Sequence, residues 1–555
     1  MSLIFRPKIN KVIRSDAVIT LLLTVLLVTY NYNKNLSPDS FLFFIQITLL
    51  WFFLRILYGI FPVLKRTLLV GLLVWGLFEV VHGLGQLYNY IPSNHALFKT
   101  TGTFFNSGPY GGFIALQFPL ALHFWFYYRK RKTYVSYIFI AIGVICFAVF
   151  PATLSRTAWI AAIVGCLAVL VINTRFIRRL CIFWKRRKKQ VIFYSVILLL
   201  ILSIGLYGIY KLKKDSADGR LFLWKITALA IRESPVKGVG FGGFPAAYAD
   251  AQMKYFKNGK ATATEKLVAG SPEYAFNEYL QLFLEQGLFG IILFLLLTFL
   301  IIKEGIKNKQ TGAAGSFIAL SVFAFASYPY QLWEFPIIWV LLGTICVTSV
   351  KETSGQSMHP PFLKSKNSRT RLPVLGIVCL LSVVCAMRQK PYYSAKKEWK
   401  KVQSLYTVKA YESITGDYTG LYPILNYEPK FVFEYAVALN GTGQYEMADR
   451  VLSRGLQLSC DPMFYNVKGR NYHEMKKYKE AEECYIRSTY LLPERIYPYY
   501  LLTKLYADSA YYHPEQMLLS AKAVLEKEPK VHSMAIKEMR MEVNKILKEK
   551  GYENE

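Results

Sequence analysis

Long uninterrupted apolar runs constrain this chain more than any other feature. "VIFYSVILLLILSIGLYGIY" (residues 191–210) and "GLFGIILFLLLTFLII" (287–302) read almost without a polar residue. Hydrocarbon offers the backbone no water, so a run of that kind folds as a helix that satisfies its own hydrogen bonds. About twenty such residues cross a bilayer. The pattern predicts about eleven spans: 16–31, 41–61, 67–88, 109–128, 134–151, 157–173, 191–210, 279–302, 312–329, 335–350 and 373–387. The first has a basic flank but no small-residue cleavage site after it, so it reads as a retained span and not as a signal peptide. The fold class expected is α, a polytopic helical membrane protein.

A net charge of +31 invites a nucleic-acid reading, and the distribution of the charge argues against one. The cations cluster at Arg6, Lys8, Lys11 and Arg14, at Lys65 and Arg66, over 129–132 and 175–189, at Lys303, Lys307 and Lys309, and over 364–371. They fall on alternate connections, the positive-inside pattern with a cytoplasmic N-terminus. Their expected contacts are membrane lipid headgroups, with no nucleic-acid partner. An odd number of spans then leaves the chain beyond 387 outside the cytoplasm. Most of the eight cysteines lie in spans, while Cys460 and Cys484 lie in that outer tail, either as a disulfide or as buried free thiols.

Two domains are expected: a membrane domain over 1–387, with a long non-cytoplasmic loop at about 211–276, and a polar helical tail over 388–555. Loops that long in compact proteins usually serve a function. Within the tail, residues 429–461 align with 462–494 without a gap, pairing Pro429 with Pro462, Tyr445 with Tyr478, Ala448 with Ala481 and Leu458 with Leu491. A looser third copy runs from 495 to about 529. The period is near that of tetratricopeptide helix pairs, and the tail resembles such an α-solenoid. Arrays of that type bind protein partners, so a partner for the tail is expected.

"GVGFGG" (238–243) fits G-x-G-x-x-G letter for letter. A dinucleotide loop needs a strand before it and nucleotide beside it. Here a helix precedes it, with Asp218 or Gly219 as the expected cap and Arg220 in the first turn. The loop also lies outside the cytoplasm. A glycine turn that lets two backbones approach closely is the better reading.

The wider stretch "GRLFLWKITALAIRESPVKGVGFGGF" (219–244) resembles the outer-loop signature of the O-antigen ligase and O-antigen polymerase family. Three more segments agree in order: "GTFFNSGPYGGFIALQFPLAL" (102–122), "LSRTAWIAAIVG" (154–165) and "EYAFNEYLQLFLEQGLFGIILF" (273–294). The resemblance covers about residues 102–302. It implies a C-type-like helical glycosyltransferase. Such an enzyme moves a glycan from undecaprenyl diphosphate to an acceptor hydroxyl at the periplasmic face of a bacterial inner membrane.

That resemblance assigns the expected roles. Arg156 and Arg220 match the family's two key arginines, which hold the departing diphosphate. Arginine suits this because its planar fork pairs with phosphate oxygens and keeps its charge. Charge stabilisation of that kind takes the place of a metal, so no metal site and no cofactor is expected. The family usually carries a histidine where this chain has Phe276, and Glu278 is the nearest substitute base, with Glu273 and His95 more remote. Asn106, Trp224, Arg232, Lys237 and Asn277 are the candidate substrate-binding residues. Glu285 matches a family glutamate inside a span, and Glu79 and His82 sit one turn apart in another. Lipid A core, a second lipid-linked glycan or a protein hydroxyl is the acceptor, which separates ligase, polymerase and protein O-oligosaccharyltransferase. A lipid-linked glycan transporter and a non-catalytic scaffold are the alternatives of another class.

Overall fold

The computed structural model describes residues 16–19, 21–22, 37–173, 190, 193, 214–348, 368–529 and 532–552. All of the expected span 191–210 but residue 193, and most of 16–31, lie outside them. The described residues form helices and no strand, apart from one isolated bridge between His95 and Phe98.

The membrane part comprises α1 (Pro38–Ile60), α2 (Leu64–Leu87), α3 (Ser107–Ala115), α4 (Gln117–Arg129), α5 (Val135–Val149) and α6 (Arg156–Asn173). A long insertion follows with α7 (Lys214–Glu233), α8 (Phe244–Lys257) and α9 (Ala263–Val268). The bundle then resumes with α10 (Glu278–Lys307), α11 (Thr311–Ala324), α12 (Glu334–Val347) and α13 (Ser368–Thr407).

Six described helices are long and apolar enough to cross a bilayer: α1, α2, the stretch Val135–Thr153, α6, α10 and Pro373–Thr407. Three expected spans come out differently. The stretch 109–128 is divided between α3 and α4, which meet at Leu116. Pro119 has no N–H to give the Ala115 carbonyl, so the helical ladder lapses there. α11 and α12 have only 14 residues each, about 21 Å of helix, short of the hydrocarbon thickness.

Large rings fill the bundle core, among them Trp51, Tyr58, Tyr110, Phe113, Phe124, Phe317 and Phe323, all essentially inaccessible. α6 and α11 pack backbone to backbone, since a Cβ on Gly165 would stand 2.8 Å from the Gly315 carbonyl. Small residues permit such close packing where hydrocarbon supplies no hydrophobic drive between helices.

The tail adds α14 (Tyr411–Leu425), α15 (Pro429–Gly441), α16 (Tyr445–Leu456), α17 (Met463–Glu474), α18 (Tyr478–Leu491), α19 (Ile496–Ala507), α20 (Pro514–Glu526) and α21 (Met534–Glu549). Each sequence repeat folds as one helix pair: α15 with α16, α17 with α18, α19 with α20. α13 is 40 residues long and passes through position 387 unbroken, so bundle and tail share a helix. It lies along α1, and the Gln389 side chain donates to the Asp39 carbonyl at 3.3 Å. Of the two readings for Cys460 and Cys484, the structure has buried free thiols.

The tail also docks on the insertion. Tyr465, Leu491, Leu492 and Cys460 belong to the same core as Phe222, Ile226, Phe244 and Tyr248.

Candidate active site

Arg156 opens α6. The preceding turn is set by Leu154 at φ 50 and by the Thr153 hydroxyl, which donates to the Phe150 carbonyl at 2.7 Å. α3 closes against this turn, because Gly111 leaves no room for a Cβ beside Thr153 and Ser155. Asn106 caps α3 by accepting from the Gly108 amide at 3.0 Å. Its side chain is thereby used in the turn that brings α3 to Arg156.

Arg220 comes from α7. That helix begins at Lys214, so Asp218 and Gly219 lie inside it and Arg220 sits in its second turn, not its first. A single interior glycine costs a helix only about 1 kcal/mol, so Gly219 does not stop it. The Arg220 guanidinium stands over the Phe276 ring, 5.7 Å from its centroid. Arg220 forms no ion pair with Asp218 or with any other described carboxylate. Burial, and then the neighbouring Arg156 charge, press its pKa below the usual arginine value. The two half-buried guanidinium groups thus lie near enough for Arg220 to feel the Arg156 charge. Like charges that feel each other repel, and an anion bound beside Arg220 would offset that repulsion.

An aromatic wall completes the place. Tyr328 meets Phe276 edge-on at 4.9 Å and stacks on Tyr274 at 5.4 Å. Burial raises the Tyr328 pKa, and the Arg220 charge opposes that rise. Phe276 holds a left-handed φ of 50, an outlier for a bulky residue. Trp224, one turn along α7 from Arg220, fixes this turn by donating its indole N–H to the Ala275 carbonyl at 3.1 Å. Its ring also stands edge-on to Phe325 at 5.8 Å. Asn277 caps α10, accepting from the Tyr279 and Leu280 amides at 3.0 and 3.1 Å.

Glu278 has a different setting. Its carboxylate is buried and accepts from the Tyr330 amide at 2.7 Å and the Gln331 side chain at 3.1 Å. No ion pair joins it to Arg220. It lines an apolar cavity of about 210 Å³ with Phe44, Phe241, Glu285 and Trp339. Arg232 and Lys237 are exposed. Arg232 lies twelve residues along α7 from Arg220, about 18 Å at the helical rise, so the structure does not bring it to the arginine pair. Glu273 is exposed, and the His95 ring accepts from the Leu97 amide within its own turn.

The glycine segment serves as a splint. Gly238, Gly240 and Gly242 all have left-handed φ. The amides of Val239 and Gly240 donate to the carbonyls of Leu284 and Glu285, both at 2.9 Å. α10 is kinked there at Gly287, with φ 65 and ψ −168, and the freed Leu288 amide donates to the Pro235 carbonyl. The Glu285 carboxylate accepts from the Gln281 side-chain amide at 3.4 Å. Close backbone approach, and not nucleotide binding, accounts for G-x-G-x-x-G in this chain.

Glu79 does not bond His82. It takes the Thr103 hydroxyl at 2.6 Å and the Thr103 amide at 3.0 Å, and so ties the 100–105 turn to α2. Among the described residues no group of three or more His, Cys, Asp or Glu is placed to hold a metal ion. Sequence reasoning missed Tyr274 and Tyr328. The one signal for Tyr328 was "SYPYQ" (327–331), a polar aromatic turn between two apolar runs.

Residues 144–295 match the sequence model of the O-antigen ligase family. That stretch includes Arg156, Arg220, the glycine segment and the start of α10. A protein of Rickettsia conorii named "Putative polysaccharide ligase" is 29% identical over 139 residues, 24% of this chain and 31% of its own length. Its counterpart in Rickettsia typhi is 30% identical over 139 residues, 24% and 32% of the two chains. A third, from Rickettsia bellii, is 31% identical over 145 residues, 25% and 34%. The matches span about a third of these relatives.

Proposed function

We propose, for a chain whose residues 144–295 match the O-antigen ligase family model, that it transfers a glycan from undecaprenyl diphosphate to an acceptor hydroxyl at the periplasmic face of the inner membrane. That match supports glycan transfer of a ligase-like kind. The observation that carries it is Arg220, under the Arg156 charge, with no described carboxylate paired to it and an aromatic wall beside it.

In this reading the acceptor oxygen bonds the anomeric carbon from the face opposite the leaving group, so the configuration inverts. The anomeric C–O bond breaks, and its electron pair leaves on the diphosphate. Arg156 and Arg220 stabilise that growing charge, a contribution commonly worth about 3–4 kcal/mol per group in a preorganised site. The acceptor proton passes to water at the membrane face. Phe276 offers no hydrogen bond, so acceptor activation by a base at that position has no support. Glu278 holds the turn that carries Tyr328. Leaving-group stabilisation therefore carries the reaction, with the arginines in the role that a metal ion has in many glycosyltransferases.

Arg220 and Arg156 are the proposed catalytic residues. Phe276, Tyr274 and Tyr328 wall the site, and Trp224, Asn106 and Asn277 set the backbone around it. The tail is proposed to be of tetratricopeptide type. The acceptor is a lipid A core sugar, another lipid-linked glycan or a protein hydroxyl. The test offers purified protein an undecaprenyl-diphosphate glycan with each acceptor class in turn. A glycosylated product with one class and released undecaprenyl diphosphate is the expected result. Donor binding without product from any class contradicts the reading.

A further inference from the structure

The tail meets the insertion beside the proposed site through two buried polar side chains, Gln252 and Cys460. Gln252, on α8, is fully inaccessible. Its amide nitrogen donates to two backbone carbonyls at once: Leu491 in the tail at 2.7 Å, and Gly270 in the insertion at 3.1 Å. Two residues past Gly270, the Pro272 carbonyl accepts from the Cys460 thiol of the tail at 3.1 Å. Tyr274 and Phe276 follow directly, and Phe276 lies under the Arg220 guanidinium. The other end of the same unit is α7 itself. Phe222, Leu223 and Ile226 flank Arg220 in sequence and share a core with Tyr465, Leu491 and Leu492 of the tail.

The segment 270–277 has no regular structure of its own beyond the start of α10. It is anchored on one side by the tail, through Gln252 and Cys460, and on the other by α7, through the Trp224 indole on Ala275. Phe276 sits on it in an uncommon backbone conformation. Such a conformation costs of order 1–3 kcal/mol and persists only where the surroundings hold it.

We infer that the tail is a positioning element of the transferase: through Gln252 and Cys460 it fixes the 270–277 segment, and with it the placement of Arg220 against the donor. The inference rests on the proposed function for its kinetic consequence and not for its structural one. It assigns the α17–α18 pair a task inside the chain, whatever else the tail binds. Gln252 touches no reacting atom and is a positioning residue.

The test uses the full chain with Gln252→Leu, which keeps the volume and removes the donor, and Cys460→Ala as a milder second variant. Hydrogen exchange is read over the whole protein. Exchange of 270–277 is expected to quicken in both variants, more in Gln252→Leu, with α3–α4 unchanged. Misplacing a catalytic group by an ångström commonly costs up to about a hundredfold in rate. Turnover per folded molecule is therefore expected to fall roughly ten- to hundredfold in Gln252→Leu, with KM for the lipid-linked donor within about threefold. Unchanged exchange at 270–277 in both variants overturns the inference, as does unchanged turnover per folded molecule. If the wild-type chain shows no transfer, the functional reading fails, and the exchange arm still decides the coupling.

Discussion

In the proposed reaction Arg220 acts through what surrounds it: the charge of a second arginine, an aromatic face and no ion pair with a described carboxylate. A cation over a ring is worth about 0.5–2 kcal/mol, depending on desolvation. Phe276→Leu keeps an apolar side chain and removes the ring, so donor KM is expected to rise roughly two- to thirtyfold in steady-state assays. A second residue reports on the insertion by pH. Burial pushes Glu265 upward, but hydrogen bonds from Lys225, the Thr262 backbone and Tyr255 outweigh it and hold its pKa at about 2. The folded value lies below the unfolded one. Its stabilisation is therefore present above the unfolded pKa, about 4.3, and is lost as pH falls toward 2. Limited pepsin digestion is expected to cut near 258–268 increasingly between those values, and Glu265→Gln to be cut already at the upper one. At this scale the sequence was half legible. The two arginines were singled out through motif resemblance, and in the structure Arg220 feels the Arg156 charge. The roles of Asn106 and Asn277 as caps depend on backbone geometry that the letters do not carry. Tyr328 was invisible because its partners Phe276 and Tyr274 lie about fifty residues away in the chain.

The critical element is α10, kinked at Gly287 and splinted by the 238–243 segment. A Cβ on Gly287 would collide with the Val236 carbonyl, and its φ and ψ suit only glycine. Gly287→Ala is expected to lose at least about 1–3 kcal/mol from backbone strain alone, before the collision is counted. Thermal unfolding of the detergent-solubilised protein checks this, with a Tm lower by several degrees as the result. The close approach of two glycine-bearing segments was legible from composition and order. The kink was not, because the apolar run 287–302 reads as an unbroken helix whether or not its first residue leaves the helical region. Span lengths were legible for α1, α2, α5, α6 and α10, where hydropathy and helix coincide. They were not for α3–α4, α11 and α12, whose apolar stretches exceed the helices that form.

At the scale of the whole molecule, bundle, insertion and tail share helices and cores. The boundary expected at 387 falls within α13, because nothing from 374 to 390 interrupts the helix when its character turns from apolar to basic. Repeats at 429–529 were legible from self-similarity. Their docking on α8 was not, since it depends on single residues such as Gln252 and Leu491 that no periodicity marks. With the diphosphate charge held by arginines, as proposed, chelation of divalent ions is expected to leave turnover within about twofold. The central claim is that Arg220 stabilises the departing diphosphate. The most direct measurement is release of undecaprenyl diphosphate, with glycosylated acceptor, by the wild-type chain, Arg220→Ala and Arg220→Lys side by side. Loss of a preorganised charge donor commonly costs about 10²–10³ in kcat, and lysine lacks the planar fork that restores it. That fall is expected in Arg220→Ala, with only partial recovery in Arg220→Lys. Arg220→Ala turning over at the wild-type rate would contradict it.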